Sequence, residues 1–367
     1  MLDPAGPNRT SPIYFMIELT PFLKQLLSLP GLSGYEAPVR AVVAEAWRPL
    51  VDELSTSNLG SLHGLQRGSG PEPRRRILLS AHMDSIGLIA TSVVDGLIHF
   101  TQVGGVDARI LPGQPVTVHG RKDLPGVVAL PADRLLPPSQ AGKPVAMEYL
   151  LVDTGLGAQE AAGLVRPGDL ISFAQPPLEL SGDTIAGHTL DDRASVAAVT
   201  LCLQDLKHTR HPWDVWAVGS VQEETVLGGA HTSPFEIRPD IAIAIDVTHA
   251  RGPGVSDYRS FPLGQGPTLG WGPNVHPAIF KAMKDVAEAL EIPTNVEPMP
   301  RHSGTDAMAM QLVAEGIPTM VVSIPLRYMH TPVELASLKD IGRAGRLLAE
   351  FIARLEPDFV DKIRWDE

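Results

Sequence analysis

Cysteine, aromatic residues and positive charge are all scarce in this sequence. There is a single cysteine, Cys202, so an intramolecular disulfide and cysteine-based zinc or iron–sulfur sites are excluded. Aromatic residues make up only 5% of the chain. The 30 Lys and Arg residues are outnumbered by 42 Asp and Glu residues, which gives a formal net charge of −12. This acidic balance disfavours a protein that binds the nucleic-acid backbone.

Long apolar runs are missing as well. No stretch reaches about 18 consecutive apolar residues, so a membrane-spanning helix is not expected. The first residues, 1–14, are polar and rich in proline, and they lack the apolar core of a signal peptide. We therefore expect a flexible leader at 1–14, a cytoplasmic location, and neither a membrane nor a nucleic-acid partner.

The apolar residues that are present predict an α/β fold. Hydrophobic residues make up 44% of the 367 residues, which is enough for a sizeable core. The segments 213–221 and 240–247 are nearly continuous apolar runs of strand length, typical of a sheet that is covered on both faces. The segments 192–206 and 276–290 have helical patterns. A chain of this length corresponds to two domains or to one large one.

The pattern changes between residues 92 and 180, where short apolar runs alternate with glycine and proline turns. Such close spacing is typical of a small all-β unit, either a barrel or a sandwich. We therefore predict an α/β domain that is formed by residues 15–91 and 181–357 and is interrupted by a β insertion at 92–180.

Polar side chains cluster where the apolar runs end, which is where open α/β sheets collect their functional groups. Most of these residues follow an apolar run, and one precedes the helix at 192–206. In chain order they are His82 and Asp84, Asp191, Glu223 and Glu224, Asp246, and His330. The runs are RRRILLSA (74–81), WAVGSVQ (216–222), IAIAI (241–245) and VVSIPLRYM (321–329).

Taken singly, these residues have ordinary structural explanations. A strand-end histidine such as His82 or His330 commonly bonds to a neighbouring carbonyl group. Asp191 stands at a favoured helix N-cap position. Glu223 and Glu224 could be a solvated loop pair.

Taken with their neighbours, several of them point to metal-assisted chemistry. If the strand continues past His82, Asp84 falls on the same face and could accept a ring proton. A carboxylate at Asp246 is costly to bury unless a cation or several donors satisfy it. The adjacent side chains of Glu223 and Glu224 diverge, so one can bind a cation while the other faces a reacting water.

Two histidines and three carboxylates together form a set of nitrogen and oxygen ligands that suits zinc, cobalt or manganese. The five are His82, Asp191, Glu224, Asp246 and His330. If Asp191 bridges two divalent ions, each ion has one histidine, one terminal carboxylate and the bridge. The charges then nearly cancel once a bridging hydroxide is counted, as a two-metal hydrolase requires.

Eight ordered strings make the chain similar to a known family, the tetrahedral or glutamyl aminopeptidases, which are dinuclear metallopeptidases sometimes labelled endoglucanases. The strings are LPGLSGYEAPVR (29–40), AHMDSIGLIA (81–90), VGGVDARILPGQPVTV (103–118), LDDRAS (190–195), VQEE (221–224), AIDVT (244–248), SGTDA (303–307) and SIPLRYMHTPVE (323–334). The resemblance extends from about Leu19 to Leu355. The insertion precedes Asp191 as in this family, whereas carboxypeptidase-like relatives place theirs after the paired glutamates.

The resemblance implies an architecture and an assembly. The α/β domain would be a three-layer, phosphorylase/hydrolase-like domain with a mixed sheet. The barrel-like insertion would mediate dimerisation, and dimers of this family build a hollow tetrahedral dodecamer that admits short peptides. The chain would remove one residue from the free N-terminus of such a peptide.

The resemblance also implies a role for each candidate residue. His82 and Asp246 would hold one ion, Glu224 and His330 the other, and Asp191 would bridge them. The general base would be the other member of the paired glutamates, Glu223, which would take a proton from the metal-bound water and pass it to the leaving amine. The carboxylate two residues after the first histidine, Asp84, would orient that histidine.

The chain departs from the family pattern in three strings. Ser85 replaces the glutamate of AHMDEIG, and Asp192 replaces the asparagine of LDNR. The loop that usually reads QEEVGLRGA here reads QEETVLGGA, with changes at Thr225, Val226 and Gly228. None of these changes removes a proposed ligand or the base. The preferred N-terminal residue, the native metal and the choice between dimer and dodecamer remain open.

Two other functions remain as alternatives. A glycosidase would need two carboxylates across a sugar-binding cleft and no metal, which leaves both histidines without a role. A non-catalytic oligomeric scaffold would retain the fold but lose metal binding. Metal dependence of peptide hydrolysis distinguishes all three.

Overall fold

The structure is a computed structural model that describes residues 16–255 and 257–365. The predicted leader at 1–14 lies outside the described residues. The strands are β1 (Glu53–Thr56), β2 (Leu62–Gln66), β3 (Arg76–His82), β4 (Gly87–Val94), β5 (Leu97–Val103), β6 (Pro115–His119), β7 (Asp123–Ala129), β8 (Leu151–Asp153), β9 (Leu170–Phe173), β10 (Leu178–Leu180), β11 (Thr184–Gly187), β12 (Asp214–Ser220), β13 (Ile241–His249), β14 (Thr268–Trp271), β15 (Asn295–Pro298), β16 (Thr319–Arg327) and β17 (Glu334–Ser337).

The helices connect these strands and cover the sheet. They are α1 (Leu19–Leu27), α2 (Ala37–Trp47), α3 (Ala158–Leu164), α4 (Leu190–Leu206), α5 (Glu223–Val226), α6 (Gly228–Ile237), α7 (Pro277–Ala289), α8 (Asp306–Met310), α9 (Leu338–Arg354) and α10 (Phe359–Lys362). Among the residues that the structure describes, no helix is both long and apolar enough to cross a bilayer.

An 11-stranded mixed sheet forms the larger part of the fold. Its main strand order is β1-β2-β12-β3-β13-β16-β17-β11-β10, and β14 joins it by pairing with β16 and β15. The central strands β12, β3, β13 and β16 are parallel, and antiparallel strands flank them on both sides. The predicted α/β fold with a mixed sheet is confirmed.

Helix α4 packs directly on the centre of this sheet. It contacts β3 and β13, and it also packs against α9. Gly345 of α9 makes that close approach possible, because a Cβ atom there would lie 2.7 Å from the backbone oxygen of Ala198 in α4. The packing fixes the N-terminal end of α4, where Asp191 lies, against the central strands.

The second sheet is a closed antiparallel barrel with its own hydrophobic core. Its strand order is β4-β5-β8-β7-β6-β9, so its strands extend from Gly87 to Phe173. The predicted barrel-like unit is confirmed. Its first strand begins before residue 92, however, and β10 pairs with β11 in the large sheet although it falls within 92–180. The division of the chain into domains stays a prediction.

Candidate metal centre

The candidate residues lie on or just beyond the central parallel strands. His82 is the last residue of β3. Asp246 lies within β13, which continues to His249, so this carboxylate is not beyond the end of its strand as the apolar run suggested. The two strands are parallel neighbours, which brings both side chains to the same part of the sheet.

The other candidate ligands lie on short irregular segments beside these strands. Glu224 is in α5, which follows β12 after two residues. Asp191 is at the start of α4, where its backbone is not helical (φ −80°, ψ 104°). His330 follows β16 and has a left-handed backbone (φ 61°). The strands therefore bring these segments together, while the backbone is locally irregular at Asp191 and His330.

The structure brings the five candidate ligands together in two groups that share Asp191. The first group is His82, Asp191 and Asp246, and the second is Asp191, Glu224 and His330; in each, the donor atoms lie within 4.8 Å of one another. Asp191 Oδ1 is 3.2 Å from His82 Nε2, and Asp191 Oδ2 is 3.4 Å from His330 Nε2. Each oxygen of this carboxylate thus faces a different histidine.

Glu223 lies beside the first group. Its Oε2 atom is 3.7 Å from His82 Nε2, and its side chain is 12% exposed. Burial, together with repulsion from Asp306 and Asp191, raises the pKa of Glu223 to about 8, although His82 acts in the opposite direction. A carboxylate with a pKa near neutrality can both accept and return a proton.

Asp84 holds the backbone of the paired glutamates. Its Oδ1 accepts the N–H of Glu223 at 3.0 Å, and its Oδ2 accepts the N–H of Glu224 at 3.1 Å. Burial favours a higher pKa for Asp84, but His82 and these two N–H groups lower it.

Two oxygens of Asp84 lie near the ring of His82, and the predicted orienting role of Asp84 stays a prediction. Strand β3 ends at His82, so strand alternation does not place Asp84. The main-chain oxygen of Asp84 is 3.1 Å from His82 Nδ1, and its carboxylate Oδ1 is 3.5 Å away. The backbone carbonyl group is therefore the closer acceptor for the ring.

The charges of the cluster fit a pair of divalent cations. Burial and neighbouring carboxylates raise the pKa of Asp246 and of Glu224 well above the ordinary range. For Asp191, burial acts in the same direction, but hydrogen bonds from His330 and His82 lower its pKa. Buried carboxylates are costly unless they are protonated or neutralised. Two cations would supply the missing positive charge, and the nitrogen and oxygen donors suit zinc, cobalt or manganese.

Other buried carboxylates near the site were not singled out from the sequence. Asp306 Oδ2 accepts hydrogen bonds from the hydroxyl groups of Ser80 and Ser220, both at 2.6 Å. Glu36 Oε1 accepts the N–H of Gln222 at 3.1 Å, directly before the paired glutamates. Both carboxylates lie in strings that carry the family resemblance, which is the signal that could have found them.

Of the positions that depart from the family pattern, one contacts a candidate ligand and two others have partners outside the ligand groups. Asp192 is fully buried, and its Oδ2 accepts the N–H of His82 at 3.2 Å. The hydroxyl group of Thr225 lies 2.7 Å from that of Ser33. Ser85 is buried, and its hydroxyl group donates to the main-chain oxygen of Gly31. These residues thus have local partners of their own.

Most of the known proteins with similar sequences and structures are named aminopeptidases, and some of the solved structures are named endoglucanases. The sequence profile of the M42 glutamyl aminopeptidase family matches residues 60–347. The chain is 35% identical to the lysyl aminopeptidase of Pyrococcus furiosus over 342 residues, 91% of this chain and 97% of that protein. The solved aminopeptidase APDkam598 of the archaeon Desulfurococcus kamchatkensis is 34% identical with a TM-score of 0.87, covering 94% of this chain and 97% of that one. The TET1 peptidase of Pyrococcus horikoshii is 28% identical with a TM-score of 0.80, covering 92% and 100%.

Proposed function

The chain belongs to the M42 glutamyl aminopeptidase family, and we propose that it is a metal-dependent aminopeptidase that hydrolyses the N-terminal residue from short peptides. One observation carries the proposal beyond the family. Each oxygen of Asp191 faces a different histidine, and each histidine lies beside a further buried carboxylate. This arrangement supports two cation sites that share one bridging ligand.

Two divalent cations would be held by the two groups of ligands. His82 and Asp246 would hold one, Glu224 and His330 the other, and Asp191 both. When bound, zinc, cobalt or manganese ions in such a pair supply Lewis-acid polarisation of the scissile carbonyl group and activation of water.

Glu223 would act as the general base. Its carboxylate lies beside His82 but belongs to neither ligand group, so its oxygens are free to take a proton from water. The same group would return that proton to the nitrogen of the leaving amine. Asp84 would support this role because it fixes the backbone N–H groups of both glutamates.

We also propose that the chain forms a homo-oligomer. The similar TET1 peptidase can assemble into a tetrahedron or a large octahedral shell. By analogy, the insertion at 92–180 would mediate dimerisation, and dimers would assemble into a tetrahedral dodecamer in the cytoplasm. The segments 15–91 and 181–357 would form the three-layer catalytic domain.

The test is hydrolysis of a panel of aminoacyl chromogenic amides. The protein is stripped with a chelator and then reloaded with zinc or cobalt. We expect activity to be lost and restored with the metal, and the panel to rank the preferred N-terminal residues. A correctly folded, reloaded protein that cleaves none of the amides or a set of short peptides would overturn the proposal.

The general base is tested with Glu223→Gln. This change removes the proton acceptor but keeps the shape of the side chain, so kcat should fall by about 10²–10⁴-fold while the bound metal is unchanged. Glu315→Gln is the matched control, because the side chain of Glu315 is 90% exposed and forms a surface ion pair with Arg238. A Glu223→Gln enzyme with full activity would contradict the assignment.

A further inference from the structure

One buried carboxylate, that of Glu334, holds the backbone of two proposed ligands at once. Its Oε2 accepts the N–H of Asp191 at 3.0 Å, and its Oε1 accepts the N–H of His330 at 2.9 Å. Glu334 is only 1% exposed. Its two oxygens therefore join two segments that are far apart in the sequence.

Neither segment has a backbone that regular secondary structure would fix. Asp191 is non-helical although it lies at the start of α4, and His330 is in the left-handed region that is unfavourable for residues other than glycine. Glu334, in contrast, is the first residue of β17 and pairs with Gly187 of β11. The carboxylate thus ties two irregular segments to the large sheet.

We propose that Glu334 is a positioning residue that fixes Asp191 and His330 relative to each other, and so shapes the second cation site. This inference depends on the proposed function. The imidazole of His330 belongs only to the second group of ligands, together with Glu224. Loss of Glu334 should therefore weaken this site more than the site of His82.

The inference is tested by cation binding to Glu334→Ala and Glu334→Gln in the full chain, measured by titration with zinc and with cobalt. In Glu334→Ala, we expect the cation affinity of the site of Glu224 and His330 to fall by about 10- to 100-fold. The affinity of the site of His82 and Asp246 should change less. Glu334→Gln retains one acceptor oxygen, so its loss of cation affinity should be smaller than that of Glu334→Ala. The cobalt absorption spectrum would report the changed ligand geometry directly.

Asp340 offers a matched control. Its carboxylate is fully buried and accepts the N–H groups of Gly264 and Gly266 at 2.6 and 2.7 Å, but the loop that it holds carries no proposed ligand. Asp340→Asn should lower the melting temperature without changing cation affinity. Thermal unfolding of each variant establishes that it is folded. If Glu334→Ala does not fold, the cation affinities of Glu334→Gln test the inference instead.

The outcomes separate this inference from the proposed function. Wild-type cation affinities in folded Glu334 variants would overturn the inference and leave the proposed function intact. An equal loss at both sites would also overturn it, since the effect would not follow His330. A wild-type protein that binds neither cation would overturn the proposed function and this inference together.

Discussion

Loading the chelator-treated protein with cations should release protons. Burial and neighbouring carboxylates raise the pKa of Glu224 and Asp246 well above the ordinary range, which favours the protonated form of both. For His82, burial opposes the charge, but Glu223 and other carboxylates outweigh it and raise the pKa well above its usual value. A cation must displace these protons before it can bind.

The number of protons follows from the ligand set. Glu224, Asp246 and His82 are the ligands whose raised pKa favours a bound proton, and each would give up that proton to a cation. His330 adds a further fraction, because its pKa is also raised, chiefly by its hydrogen bond with Asp191. Protons compete with cations at every ligand whose pKa is raised, so affinity must rise with pH. The product of the two binding constants should increase with pH, with a logarithmic slope equal to the number of protons released.

Titration calorimetry measures this number directly. Zinc is titrated at constant pH in buffers that differ in ionisation enthalpy, and the slope of observed heat against that enthalpy gives the protons released. The Asp340→Asn variant should give the wild-type slope, because Asp340 is buried but outside both ligand groups. A slope near zero at pH 7 would refute the reasoning, since the ligands would then be ionised before the metal arrives.

Two further predictions concern the loop of the paired glutamates. In Asp84→Asn, an amide NH2 group replaces one acceptor oxygen and faces a backbone N–H, so kcat should fall by about 10- to 100-fold while the metal stays bound. Steady-state kinetics and metal analysis check this prediction. An unchanged kcat would contradict it. Thr225→Val removes the hydroxyl contact with Ser33 and should lower the free energy of unfolding by about 0.5–1.5 kcal/mol. Ser33→Ala should lower the free energy of unfolding by a similar amount, as measured by denaturant unfolding. If the losses of the two single variants add up exactly in the Ser33→Ala/Thr225→Val double variant, the hydroxyl contact contributes nothing to stability.

Much of the fold could be predicted because burial leaves a simple pattern in the sequence. The runs at 213–221 and 240–247 correspond to β12 and β13, which are buried along most of their length. The close turn spacing likewise predicts a small all-β unit, although it does not distinguish a barrel from a sandwich. The predicted insertion at 92–180 includes β10, because turn signals show where a strand begins but not which sheet it will join.

The candidate ligands could be proposed from residue chemistry, but the backbone contacts that Glu36 and Glu334 make around them could not. A carboxylate that accepts backbone N–H bonds leaves no spacing pattern in the sequence. Glu36 is 186 residues from Gln222, and Glu334 is 143 residues from Asp191. Such contacts depend on how the sheet assembles, so only the structure could pair them.

The balance of charge explains why cations should bind where they do. Two histidines cannot neutralise the negative charge of all the carboxylates in the site, and Asp191 already contacts both histidines. Glu224 must share His330 with Asp191, and burial together with the charge of Asp191 raises its pKa. Burial and neighbouring carboxylates likewise raise the pKa of Asp246, so both carboxylates favour a bound proton. A divalent cation brings more positive charge than the proton it replaces, and the same imbalance that holds protons in the site therefore favours metal as the pH rises.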